Sequence, residues 1–219
     1  TECAGILTQC YDKDQAAQMI AELMPFVYGG IHLDSSELRE FSYAFFANAA
    51  EVLKAGFTNY LPKTMEAVYM TMMTDDIMWG DEDEDEIEGG TTNPIELGSD
   101  DSDDDMAGGK MFSVRTAQLE EKASACQCIG TLAEHVGEAY GPYLEQSTQL
   151  LYDLADYFHE EVRGAVRGSM GAMVLAASRT YGEIQPDGSL HPKLLEVLAK
   201  TWEIMLDSLE EEPDRIVVA

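Results

Sequence analysis

Positive charge is scarce in this sequence: 13 Lys and Arg stand against 42 Asp and Glu, and the formal net charge is −29. Because binding to nucleic acid or to an anionic membrane requires clustered cations, neither is expected as a direct partner. Cysteine is scarce too. The four cysteines are unevenly spaced, which excludes the disulfide framework of a small secreted domain and predicts a cytoplasmic or nuclear protein.

Long apolar runs and a signal peptide are also missing. No run approaches the roughly 18 residues that a membrane-spanning helix needs. Thr1 already lies within a helical pattern, so we expect the chain to be an internal fragment of a longer protein.

Motifs of catalysis and metal binding are missing as well. The chain has no phosphate-binding loop, and Gly168-Ser169-Met170-Gly171 lacks the spacing of a nucleophile elbow. Asp81, Asp83 and Asp85 match the start of a calcium-binding loop, but its sixth position is Glu86 and its twelfth is Thr92. The sequence therefore predicts no enzyme, no cofactor and no specific metal site.

Acidic residues are concentrated in one segment. Fifteen lie between Asp75 and Asp105, and no Lys or Arg occurs between Lys63 and Lys110. Since self-repulsion and few apolar residues oppose folding, we predict a disordered loop over 75–110.

The flanking blocks, 1–74 and 111–219, have apolar residues at a period near 3.6, typical of helices. Gly29-Gly30 is expected to end one helix and Asp34 to cap the next. No strand is expected, so the predicted class is all-α. The later helices are predicted over 114–139, 142–158, 160–181 and 191–211.

Two sequence offsets indicate an internal repeat. Phe57-x-x-Tyr60-Leu61 matches Tyr140-x-x-Tyr143-Leu144 at an offset of 83, and the segment from Lys122 matches that from Arg163 at 41. Removing a loop of about 40 residues from the first offset leaves a period near 43, which is typical of HEAT or armadillo hairpins. The pair Val162-Arg163 after an acidic turn favours HEAT repeats over armadillo repeats. In a HEAT repeat the Val would pack in the core between repeats, and the Arg would reach the turn of a neighbouring repeat. The prediction is an α-α solenoid whose inner helices cover approximately 35–56, 114–139 and 160–181.

The segment from Phe112 to Cys126 (FSVRTAQLEEKASAC), directly after the acidic loop, resembles the importin-β superfamily, in the branch of importins four and five. Residues 142–145 and 157–163 resemble it too. The resemblance implies a nuclear transport receptor, shuttling between cytoplasm and nucleus, that binds basic cargo such as histones and ribosomal proteins. It also implies that the full-length protein releases this cargo to Ran-GTP, mainly through amino-terminal repeats, and binds FG-nucleoporins between outer helices.

Two sets of acidic residues are the candidate cargo sites. The loop set, with Trp79 as an apolar anchor, would attract basic cargo over several ångströms. The second set is predicted to be exposed on the inner helices. The loop residues are Asp81, Glu82, Asp83, Glu84, Asp85, Glu86, Asp100, Asp101, Asp103, Asp104 and Asp105. The helix residues are Glu120, Glu121, Glu134, Glu138, Glu160 and Glu161.

Two alternatives remain open. One is a structural HEAT scaffold, such as a phosphatase or chromosome-complex subunit, with the loop as a regulatory spacer. The other is an acidic histone chaperone that shields basic proteins without transporting them.

Overall fold

The computed structural model describes residues 2–33, 35–74, 77–79, 92–94 and 112–211. The helices there are α1 (Glu2–Thr8), α2 (Lys13–Ile31), α3 (Ser36–Leu53), α4 (Leu61–Met73), α5 (Thr116–His135), α6 (Gly141–Asp153), α7 (Glu160–Tyr181) and α8 (Pro192–Glu211), with 3₁₀ helices at Lys54–Asn59 and Gly137–Tyr140. Short strands are β1 (Ile77–Trp79), β2 (Thr92–Pro94) and β3 (Phe112–Arg115). None of the described helices has both the length and the apolar composition of a membrane span.

The helices pack in two layers. The inner layer is the series α1, α3, α5 and α7, in which each helix packs against the next. The outer layer is α2, α4 and α6, each packed against the inner helix that follows it, with α8 packed on α7. Because each hairpin leaves an apolar face for its neighbour, the core is continuous along the stack, and the predicted all-α stack of hairpins is confirmed.

The internal repeat is visible in equivalent positions. Phe57 and Tyr140, 83 residues apart, are both fully buried, and each lies in a 3₁₀ helix that leads into an outer helix of 13 residues. Each of those outer helices has a proline in its first turn, where the missing N–H breaks no helical hydrogen bond.

Tyrosines join successive outer helices in the same way three times. Tyr28 donates to the carbonyl of Tyr60 (2.8 Å) and lies 3.1 Å from the Thr64 hydroxyl. Tyr69 repeats the pattern with the carbonyl of Tyr143 (3.1 Å) and the Ser147 hydroxyl (2.9 Å). The third instance joins α6 to α8. It pairs Tyr152 with the carbonyl of Val197 (3.2 Å) and the hydroxyl of Thr201 (3.3 Å).

Cations at repeat-equivalent positions of the inner helices hold the turn before each helix. Arg39 Nη1 donates to the carbonyl of Leu33 (2.8 Å), and Arg163 Nη1 donates to that of Tyr157 (2.9 Å). Lys122 Nζ donates to the carbonyl of Thr74 (2.6 Å), the last described residue before the acidic segment. The turn between α4 and α5 is therefore bridged like the others, although about 40 residues are inserted in it.

The described residues in and next to the insertion differ from the prediction. Strands β1 and β2 both pair antiparallel with β3, so the expectation of no strand is wrong for these ten described residues. Because residues 112–115 are extended, α5 begins at Thr116 rather than at Val114. The rest of the predicted loop lies outside the described residues.

Some predicted helix ends differ from those in the structure. Gly29-Gly30 does not end its helix: α2 continues to Ile31, with Gly30 packed against Leu38. The next helix is capped by Ser35, whose hydroxyl accepts from the amide of Leu38 (3.3 Å); Asp34 lies outside the described residues. The helix predicted over 142–158 ends at Asp153.

Several apolar residues of the helices are exposed. Cys3 on α1 and Cys10 just after it are exposed. Phe26 on α2 and Met70 and Met73 on α4 are exposed too. A period of 3.6 identifies an apolar stripe but does not tell which part of it a neighbouring helix covers.

Candidate functional site on the inner helices

A shallow groove of about 720 Å³ crosses the exposed faces of α3, α5 and α7. Small residues form most of its floor, so backbone lies close to the surface. The lining residues are Glu40, Phe41, Ala44, Glu120, Ala123, Ser124, Gln127, Gly130, Thr131, Glu134, Glu161, Gly164, Ala165, Gly168, Ser169 and Ala172.

The charge of the groove has a single sign. Glu40 on α3, Glu120 and Glu134 on α5, and Glu161 on α7 contribute four carboxylates. Among the described residues, no Lys or Arg lines it. Since like charges lining a cleft concentrate the field, the groove attracts cationic ligands.

Side-chain hydrogen bonds fix the three helices against each other beneath the groove. Ser124 Oγ on α5 donates to the carbonyl of Glu40 (3.1 Å), and Ser169 Oγ on α7 donates to that of Cys126 (2.9 Å). At the far end, Arg179 Nη1 donates to the carbonyl of Glu134 (2.7 Å). The carboxylates are thus presented from a preorganised surface, which lowers the entropic cost of binding.

Glu121 was predicted to be exposed on this surface, and this is wrong. Glu121 is only 5% exposed, and its Oε1 accepts hydrogen bonds from Arg39 Nε (2.8 Å) and Thr71 Oγ1 (2.8 Å). Successive helical residues differ by about 100° in direction. With Glu120 in the groove, Glu121 therefore turns toward α3 and α4.

The other predicted residues divide into two groups. Glu120, Glu134 and Glu161 line the groove, whereas Glu138 and Glu160 are exposed but do not. The acidic loop residues at 81–86 and 100–105 lie outside the described part of the chain, and Trp79 is described only as a position in β1.

Glu40, Phe41 and Gln127 also line the groove and were not predicted. Gln127 could have been predicted from its spacing. It lies seven residues, or two helical turns, after Glu120 and seven before Glu134, and therefore on the same face of α5. Glu40 and Phe41 could have been found by placing α3 beside α5 at the repeat offset.

Neither cysteine of α5 is among the residues that line the groove. Burial raises the pKa of the Cys126 thiol to about 12 and raises that of Cys128 further, so neither forms a thiolate near neutral pH. No group of three or more His, Cys, Asp or Glu able to hold a metal occurs among the residues that the structure describes.

Comparison with known proteins gives related chains along almost the entire length. A probable importin subunit beta-4 from Schizosaccharomyces pombe is 26% identical over 97% of this chain. Importin-4 from Mus musculus is 22% identical over 86% of it. The chain is thus similar over almost its whole length to two importins. No family model matches it.

Solved structures have the same fold as this chain. The crystal structure of Kap121p superposes on it with a TM-score of 0.69 over 98% of the chain, at 17% identity. Kap121p bound to RanGTP gives 0.63 over 92%, at 16% identity. The segment spans about a fifth of the length of these proteins, from 18% to 21%.

Proposed function

We propose that this segment forms part of the cargo-binding inner face of a nuclear import receptor that shuttles between cytoplasm and nucleus. The observation that supports it most is the groove across α3, α5 and α7, with four carboxylates and, among the described residues, no Lys or Arg lining it. Such a surface suits basic cargo, for example histones or ribosomal proteins. The proposal contains no catalytic step.

The acidic segment is proposed to extend the same surface. It begins after Thr74 and ends before α5, whose second turn contributes Glu120 to the groove. Its 15 carboxylates would raise the rate at which basic cargo arrives, an effect that is strongly screened beyond about 8 Å at physiological salt.

Partners of the whole protein are proposed from its relatives. Kap121p has been solved bound to Nup53p and to RanGTP. We propose that the longer protein containing this segment likewise binds nucleoporins and releases cargo to Ran-GTP.

Two variants test the proposal against a core histone in a salt-dependent binding assay. One carries Glu120→Gln, Glu134→Gln and Glu161→Gln. The other lacks residues 75–105. A control carries Glu22→Gln, Glu183→Gln and Glu196→Gln, which neutralise exposed glutamates outside the groove.

The proposal predicts that the groove variant weakens histone binding at least about five-fold, because the loss of each of three exposed charge contacts weakens it roughly two-fold. The control variant should leave histone binding unchanged. The loop deletion should mainly slow association. If the groove variant and the control bind the histone equally, the groove is not the cargo surface. In the full-length protein, bound histone that is unaffected by Ran-GTP would favour the chaperone alternative.

A further inference from the structure

The loop between α7 and α8 contains the one Asp-Gly pair of the sequence, Asp187-Gly188, and no Asn-Gly pair occurs. The loop is exposed from Pro186 to Leu190. Because glycine has no side chain, it does not shield its own amide nitrogen from the carboxyl group of the preceding residue. An Asp-Gly pair is therefore the sequence in which aspartate isomerises most readily.

Isomerisation of this pair proceeds in two steps. The Gly188 amide nitrogen attacks Cγ of the neutral Asp187 carboxyl, a new N–Cγ bond forms, and the nitrogen proton and the carboxyl hydroxyl leave as water. Water then opens the resulting succinimide ring at one of its carbonyls. Opening at Cγ restores aspartate, whereas opening at the main-chain carbonyl leaves isoaspartate, in which the chain continues through Cβ and Cγ.

The folded turn holds both reacting groups in other contacts. Pro186 fixes its own φ and Gly188 has a φ of +81°, so that a tight turn forms in which the Gly188 amide donates to the carbonyl of Gln185 (2.9 Å). The Asp187 Oδ1 accepts from the Ser189 hydroxyl (2.6 Å) and the Ser189 amide (3.0 Å). The nitrogen is thus held toward Gln185 and the carboxylate toward Ser189, rather than toward each other.

The same contacts keep the carboxyl group ionised. Hydrogen bonds from the Ser189 hydroxyl and amide hold the pKa of Asp187 below its ordinary value of 3.8. Ring closure requires the neutral carboxyl, because only that form loses its hydroxyl as water. Since a lower pKa means a smaller neutral fraction near neutral pH, Ser189 slows the reaction.

We propose that Asp187 is a site of spontaneous isomerisation to isoaspartate, and that Ser189 suppresses the reaction while the loop is folded. Isomerisation adds one carbon atom to the main chain of a loop that is closed by the Gln185 amide donating to the Ser189 carbonyl (2.9 Å). The longer main chain breaks this closure and loosens the connection between α7 and α8. The site lies outside the groove, so the proposal does not depend on cargo binding.

The test incubates the folded chain in water enriched in oxygen-18, because each succinimide that opens incorporates one oxygen-18 atom. Mass spectrometry of the peptide that contains Asp187 measures this incorporation, and chromatography separates the isoaspartyl form. Incorporation should be faster at about pH 5 than at about pH 7, since more of the carboxyl is neutral there. Ser189→Ala should speed it about three- to ten-fold, as expected for the loss of one hydrogen bond.

Two further variants are the controls. Ser189→Thr keeps the hydroxyl and should react as slowly as the parent chain. Ser178→Ala removes a hydroxyl from α7, where it donates to the carbonyl of Leu175, and should leave the rate at Asp187 unchanged. Circular dichroism shows whether each variant keeps its helices.

Urea provides the reference state without the turn, in which incorporation at Asp187 should be at least about ten-fold faster than in the folded chain. Equal rates with and without urea would show that the turn gives no protection and would overturn the proposal. Equal rates in Ser189→Ala and Ser178→Ala would overturn the role of Ser189. If no oxygen-18 enters at Asp187 even in urea, the residue is not an isomerisation site.

Discussion

Two adjacent glutamates have different roles because their side chains point in different directions. Glu120 is exposed in the groove, whereas Glu121 is buried and accepts hydrogen bonds from Arg39 on α3 and Thr71 on α4. Glu121 thereby joins three helices from two hairpins. The sequence pattern Glu-Glu does not distinguish them, because nothing local indicates that an arginine 82 residues away will pack against the second.

Glu121→Ala is expected to lower the free energy of unfolding by about 2 kcal/mol. The change leaves the Arg39 guanidinium and the Thr71 hydroxyl without this acceptor, and Arg39 is partly solvated, which keeps the cost below that of a fully buried pair. Urea denaturation measures it. Glu120→Ala, one position away and exposed, is the control and should change stability by less than about 0.5 kcal/mol. Equal effects of the two substitutions would contradict the assigned role of Glu121.

At the scale of whole elements, the contact between α5 and α7 depends on glycine. A Cβ added at Gly130 would lie 2.6 Å from Ser169 Oγ and 2.8 Å from its Cβ. Ser169 cannot turn away freely, because its hydroxyl donates to the carbonyls of Cys126 and Ala165 (2.9 Å each). The helices can approach this closely only with glycine at position 130.

Gly130→Ala is therefore expected to destabilise the chain by about 1–3 kcal/mol, as overpacking does. Gly171, the repeat equivalent on α7, has no atom within 4 Å of an added Cβ. Gly171→Ala should instead stabilise the chain by up to about 1 kcal/mol through helix propensity. Thermal unfolding of the two variants tests whether the melting temperature falls for Gly130→Ala and rises for Gly171→Ala. A loss of stability in both would show that α7 packs differently.

Helices and strands could be predicted where the residues that set their ends are close to them in the sequence. Helix α7 has the predicted bounds, 160–181, because the turns on both sides are marked in the sequence and Val162 is fully buried as expected. The Gly29-Gly30 signal failed because the tertiary contact of Gly30 with Leu38 outweighs local propensity. Strand β3 was missed since its partners, β1 and β2, are separated from it by acidic sequence.

The candidate site was predictable in part. The repeat located the inner helices, and three of the four groove carboxylates were among the predicted residues. The rotation of each helix about its axis could not be predicted, which explains the error at Glu121. Glu40 was omitted because α3 was not aligned with α5 at the repeat offset.

For the whole molecule, stacking of the outer layer depends on protonated tyrosines. Burial raises the pKa of Tyr28, Tyr152 and Tyr69, the last to about 12, although the hydrogen bonds to their hydroxyl partners act in the opposite direction. An ionised phenol cannot donate to the carbonyl on the next outer helix.

Because these folded-state pKa values lie above the ordinary value of 10.0, the associated stability is complete below pH 10. It is lost as the pH rises from 10 toward 12. We expect cooperative alkaline unfolding in this range, with tyrosine ionisation at 295 nm and loss of helical circular dichroism at the same pH. Tyr69→Phe should reduce the pH dependence. If the phenols ionise near pH 10 while the helices stay intact, the tyrosine contacts do not hold the layer together.

The bond from Lys122 to the carbonyl of Thr74 has a consequence for protein engineering. It joins the end of α4 to α5 directly, so that this contact does not depend on the length or sequence of the connecting residues. Lengthening a closed loop costs little, about 0.6 kcal/mol for each doubling. This position is therefore suited to carry a fluorescent reporter or an affinity tag in place of the natural residues, with the neighbouring hairpins left in register.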